Sequence, residues 1–120
     1  MKNLIIILAF AILGLTSCVQ KTKSQTVILF LDVSGIKNIQ NVGVRGEGKP
    51  LSWNEDLILT EVYKDSIYKT TVFGDTGRLC AEIKFTVNSE FELKEEENRK
   101  VYFDKSGTTI YKAKFNVAQK

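Results

Sequence analysis

The chain has 120 residues, enough for one domain, with 43% hydrophobic residues, 26% charged residues and a formal charge of +3. So small a charge does not supply the concentrated basic stripe that a nucleic-acid partner needs. There is no histidine, which removes the usual general base and the commonest metal ligand.

Met1-Lys2-Asn3 carries one positive side chain, and Leu4 to Leu15 follows as an almost unbroken apolar run. A membrane-spanning helix needs about 20 apolar residues, so this run is too short to cross. It fits the apolar core of a secretory signal peptide occupying residues 1–17. Leu15-Thr16-Ser17-Cys18 resembles the bacterial lipobox, in which small residues precede a cysteine that becomes the lipidated first residue. On that reading Cys18 carries a lipid, residues 18–25 form a polar tether, and a single domain occupies 26–117. Cleavage removes one lysine and leaves the charge close to neutral. Cys80 is then the only cysteine of the domain, so no internal disulfide is expected and packing must supply the stability.

The domain alternates like β-structure and shows almost no helical period. Thr26 to Val33 is a continuous apolar run, suited to a strand covered on both faces. Ile39 to Arg45 puts Val42 and Val44 on one face. Pro50-Leu51-Ser52-Trp53 then forms a loop with the chain's only proline and only tryptophan. On the residues alone, Trp53 is either a plug in the core or a flat shelf left open. Leu57 to Thr60 is a short apolar piece, and Ser66 to Phe73 is a strand. Gly74 to Gly77 (GDTG) reads as a turn that makes a hairpin with the following strand. In Leu79 to Asn88, residues Leu79, Ala81, Ile83, Phe85 and Val87 share the core face, while Cys80, Glu82, Lys84, Thr86 and Asn88 face solvent. Phe91 to Leu93, Val101 to Phe103 and Thr109 to Val117 complete the set, the last with Tyr111, Ala113, Phe115 and Val117 inward. Seven or eight short strands at regular spacing predict an all-β fold, an immunoglobulin-like antiparallel β-sandwich.

Candidate chemistry is sparse. Cys80 has no histidine to serve as its base. Glu55 and Asp56 are adjacent in extended chain and point to opposite sides, a poor acid–base pair that reads as solvated loop charge. Glu95-Glu96-Glu97 reads as a solvated loop without the alternating oxygen ligands of a calcium site. Gly46-Glu47-Gly48 is a turn, too weak a pattern for a phosphate cradle. No metal, cofactor or catalytic residue is expected.

An ordered set of short motifs carries a family resemblance. Val42-Gly43-Val44-Arg45-Gly46, Pro50-Leu51-Ser52-Trp53-Asn54, Ile67-Tyr68-Lys69-Thr70-Thr71-Val72, Glu82-Ile83-Lys84-Phe85, Phe91-Glu92 and Asn98-Arg99 follow one another along the chain. The series resembles the starch-binding domains of the family 20 carbohydrate-binding modules and their glycogen-binding relatives, over residues 26 to 117. The resemblance implies a non-catalytic domain that binds α-glucan or malto-oligosaccharide. It implies Trp53 as a stacking platform, Lys84 as a donor to sugar hydroxyls, and Phe91 where the family has a second tryptophan. Glu92 and Asn98 become polar contacts, and Arg99 a packing or pairing residue. A flat ring covers the C–H face of glucose while oriented polar groups meet its hydroxyl rim. The stretch from Phe91 to Asn98 is longer than the family's. No match to a second sugar site is present, and Tyr63 and Tyr68 are explained by packing.

Two readings follow from the sequence. One is a membrane-anchored lipoprotein that binds α-glucan without cleaving it. The other is a structural or protein-interaction lipoprotein of the cell envelope with a degenerate sugar site. Residue 19 is valine, not aspartate, which favours an outer-membrane anchor facing the periplasm or the surface. Labelled palmitate fed to a bacterial host is expected to enter the full chain and not Cys18→Ser. The variant is also expected to leave the membrane fraction.

Overall fold

The computed structural model describes residues 21–119. The signal peptide at 1–17 and the lipidation site Cys18 lie outside the described residues. The expected all-β sandwich is present, built from nine strands and, among the described residues, no helix. The strands are β1 (Lys23–Asp32), β2 (Val42–Gly46), β3 (Leu57–Ile58), β4 (Thr60–Tyr63), β5 (Ile67–Thr76), β6 (Cys80–Val87), β7 (Glu90–Phe91), β8 (Arg99–Tyr102) and β9 (Thr108–Lys114).

One sheet runs β4-β5-β1-β9, and the other runs β3-β2-β6 with β7 and β8 both paired to β6. The pairings are antiparallel except β1 with β9, which lie parallel. β1 is the central strand that its apolar run predicts, held between β5 and β9. Its inward residues Val27, Leu29 and Leu31 meet Val42, Val44, Ile83, Phe85, Val87 and Val101 of the other sheet in one core. Burial of these side chains is the main stabilising term, about 1.5–3 kcal/mol each.

Tertiary pairing moves several expected boundaries. β1 begins at Lys23, because β5 runs on to Thr76 and offers partners to Lys23, Ser24 and Gln25. Three residues of the expected tether are therefore strand. For the same reason Gly74 to Thr76 continue β5, and the chain crosses to the other sheet at Gly77 to Leu79. The expected hairpin is absent: β5 pairs with β1 and β4, while β6 pairs with β2, β7 and β8. The Leu57 to Thr60 piece splits at buried Leu59, where the chain again changes sheet. This split raises the strand count to nine, above the seven or eight expected. Leu79 is 83% exposed instead of sharing the core face, since it precedes β6 and overruns the sandwich. Val117 lies beyond β9 and is exposed.

Between β7 and β8 the edge of the second sheet is broken by a loop carrying Glu92. Glu92 is 0% exposed and faces Arg99, itself 3% exposed. Arg99 Nε and Nη2 donate to Glu92 Oε2 and Oε1 at 2.7 and 2.8 Å, a bidentate pair. The Phe85 and Asn116 backbone N–H groups donate to the same two carboxylate oxygens. Arg99 also donates to the carbonyls of Lys114 and Val117. Burial opposes the charged guanidinium, but hydrogen bonds to Glu92 and Tyr111 outweigh it and hold the Arg99 pKa above its usual value. The clamp thus ties β6 and the broken edge to the end of β9, across the two sheets.

Removing one member leaves the other buried and unpaired, which is the costly case. Glu92→Ala is expected to lower the unfolding free energy by about 3–5 kcal/mol, read from the urea midpoint. Glu92→Met combined with Arg99→Met is expected to recover part of that loss.

Candidate functional site

The outer face of the β2–β6 sheet carries Lys84 and Phe91 of the residues that the resemblance singles out, with the loop of Trp53 at its margin. Directly paired residues share a face. Ile58, Gly43, Thr86 and Phe91 therefore form one row across β3, β2, β6 and β7, and Arg45 and Lys84 form the next. Asp56, two residues before Ile58, folds over this face. A Cβ on Gly43 would stand 2.8 Å from both Asp56 Cβ and Thr86 Oγ1, so only glycine leaves room for the carboxylate.

Asp56 Oδ1 accepts from Arg45 Nε and from Thr86 Oγ1, each at 2.8 Å. Asp56 is thus not the solvated loop charge expected from its sequence context; its side chain is only 10% exposed. Arg45 Nη1 donates to the Trp53 carbonyl at 3.3 Å, which holds the loop down. The Arg45 guanidinium carbon lies 5.0 Å from the centroid of the Phe91 ring, within cation–π range. Trp53 itself is half-buried and outside the core cluster. Arg45 therefore links the loop of Trp53 to Phe91 and stands beside Lys84.

Two cations opposite one another on adjacent strands repel, and each here has its own partner. Arg45 takes Asp56. Lys84 Nζ donates to the carbonyls of Leu93 and Glu96 at 3.1 and 3.0 Å. The Lys84 ammonium thereby pins the glutamate-rich loop, which uses donors that the resemblance assigned to sugar hydroxyls.

Two other expected contacts change. Glu92 cannot meet a ligand from its observed position: it is the buried half of the clamp, with both oxygens occupied. Nothing local in the chain signals this, because Phe91 and Glu92 are neighbours and only the pairing of Phe91 with Thr86 turns Glu92 inward. Asn98 immediately precedes β8 and lines a shallow cleft with Glu82, Glu96, Glu97 and Lys100. Tyr68 is buried with its hydroxyl on Glu61, whereas Tyr63 is exposed. Arg45 and Asp56 are the polar residues that sequence reasoning missed at this face. The outward position of Arg45 opposite Lys84 was the available signal.

The sequence matches no known family model and no curated protein.

The arrangement is a ring-bearing loop, a guanidinium stacked on a second ring, and a carboxylate with Oδ2 free of recorded partners among the described residues. It can cover an apolar ligand face and exchange hydrogen bonds with a hydroxylated rim. Arg45→Met removes the tie between Asp56, Trp53 and Phe91. It is expected to cost about 1–3 kcal/mol in urea unfolding. It is also expected to red-shift the emission of Trp53, the chain's only tryptophan.

Proposed function

We propose that the domain binds α-glucan or malto-oligosaccharide without cleaving it, from a lipid anchor at Cys18 in the cell envelope. The observation that carries this reading is the position of Trp53, half-buried on a loop outside the core and tied by Arg45 to the Phe91 ring. In this reading Trp53 covers the C–H face of a glucose unit. Arg45 and Asp56 exchange hydrogen bonds with its hydroxyls, taking the roles that Lys84 and Glu92 hold in the sequence resemblance. Phe91 supports Arg45 and adds little platform of its own, since the guanidinium covers one face. The carboxylates support binding without catalysis: Asp56 Oδ1 is committed to Arg45 and Thr86, and Glu92 is sequestered by Arg99. With one platform, affinity is expected in the range of roughly micromolar to millimolar, about 4–8 kcal/mol.

A second reading, a structural or interaction lipoprotein that docks an envelope protein, rests on the opposite sheet. Phe73 and Ile110 are 67% and 62% exposed there, to either side of β1. Maltoheptaose titration watched by Trp53 emission separates the two. The glucan reading expects a saturable change, and loss of retention on a starch gel in Trp53→Ala. An unchanged spectrum at millimolar maltoheptaose sinks it. A pull-down from envelope extract that depends on Phe73 and Ile110 would then favour the second reading.

A further inference from the structure

The sandwich has a half-open cavity at the end where β1 begins. Its volume is about 390 Å³, within the ~300–1,000 Å³ typical of small-molecule sites. Ala81, opposite Val101 on β6, leaves space that a larger inward side chain would fill. Gly74, opposite Gln25 on β5, lies under the Lys49 backbone, whose carbonyl oxygen would stand 3.2 Å from a Cβ there. Leu29, Val72, Ile83 and Phe103 give the cavity an apolar wall.

Into this wall β1 brings one polar side chain. Gln25 has the same strand parity as Val27 and Leu29, so it lies on the inward face. It lines the cavity, and its Oε1 is buried with no hydrogen-bond partner among the described residues. Native structures rarely leave such an acceptor bare. The mouth carries Glu47, Lys49, Asp75 and Arg78, two charges of each sign, with Arg78 Nη1 2.7 Å from Glu47 Oε2. A balanced rim has no preference for an ionised head. At about 30 Å³ per water-sized group, the volume takes roughly a dozen non-hydrogen atoms.

We propose that this cavity is a binding site for a small, uncharged, single-chain amphiphile. The apolar chain lies between the sheets, and the Gln25 amide turns its buried Oε1 toward the cavity to accept from the hydroxyl. The site is at the end of the sandwich and uses none of Trp53, Arg45 or Phe91, so it stands or falls apart from the glucan reading.

Calorimetric titration of the intact protein with 1-decanol tests it, against 1-methoxynonane, which lacks the donor, and decanoate, which is charged. One 1-decanol per chain is expected, bound about tenfold more tightly than either comparison compound. Gln25→Leu is expected to erase the preference for the alcohol over the ether while keeping the apolar contribution. Ala81→Phe, which fills the cavity, is expected to abolish binding of all three. If it fails to fold, the Gln25→Leu comparison decides alone. No binding to the parent, tighter binding of decanoate, or a tenfold alcohol preference that survives Gln25→Leu would overturn the proposal.

Discussion

A buried, bidentate ion pair holds the architecture together. Glu92 and Arg99 come from either side of a loop that interrupts the edge of one sheet. Desolvating two charges is costly, and the pair persists because its oxygens and nitrogens are also met by backbone groups. The N–H groups of Phe85 and Asn116 and the carbonyls of Lys114 and Val117 supply those partners. Those four residues sit on β6 and around the end of β9, so one side-chain pair fixes a broken edge against both sheets. The Leu93 N–H adds a further tie to Asn116 Oδ1.

The clamp also decides what the outer face of the second sheet can present. By turning Glu92 inward, it leaves Phe91 on the outer face opposite Thr86. Arg45 can then stack on that ring while pairing with Asp56. Asp56 reaches its place only because Gly43 has no side chain. Lys84, next to Arg45, is drawn to the carbonyls of the interrupting loop. Five side chains with separate sequence contexts thus become one interdependent surface, with the Trp53 loop fastened to its margin by a single hydrogen bond.

The two candidate binding regions differ in chemistry as well as place. The outer face offers rings, a guanidinium and a carboxylate to a hydroxyl-rich ligand. The cavity offers an apolar wall and one amide. The first depends on loops folded over a sheet, and the second on the gap between the sheets beside Ala81. The β2–β3 connection borders both, with the Trp53 carbonyl held at the outer face by Arg45 and with Lys49 and Leu51 lining the cavity.

Alternation within the chain determined the all-β class, the central place of β1, and the inward faces of β2 and β6. Those features depend on which residues can leave water, and period-two patterning records that directly. The short strands and the Trp53 loop were legible from turn residues and spacing in the same way. Other features were decided by partners far away in sequence. β5 ran through a stretch rich in turn residues because β1 was there to pair with it, and so the expected hairpin became a crossing between sheets. Asp56 looked like a solvated carboxylate and Glu92 like a ligand contact, and both became buried or nearly buried, because Arg45 and Arg99 compensate their charges. A local pattern shows what a residue prefers in isolation. Whether a charge can be buried depends on the donors that the folded chain brings around it.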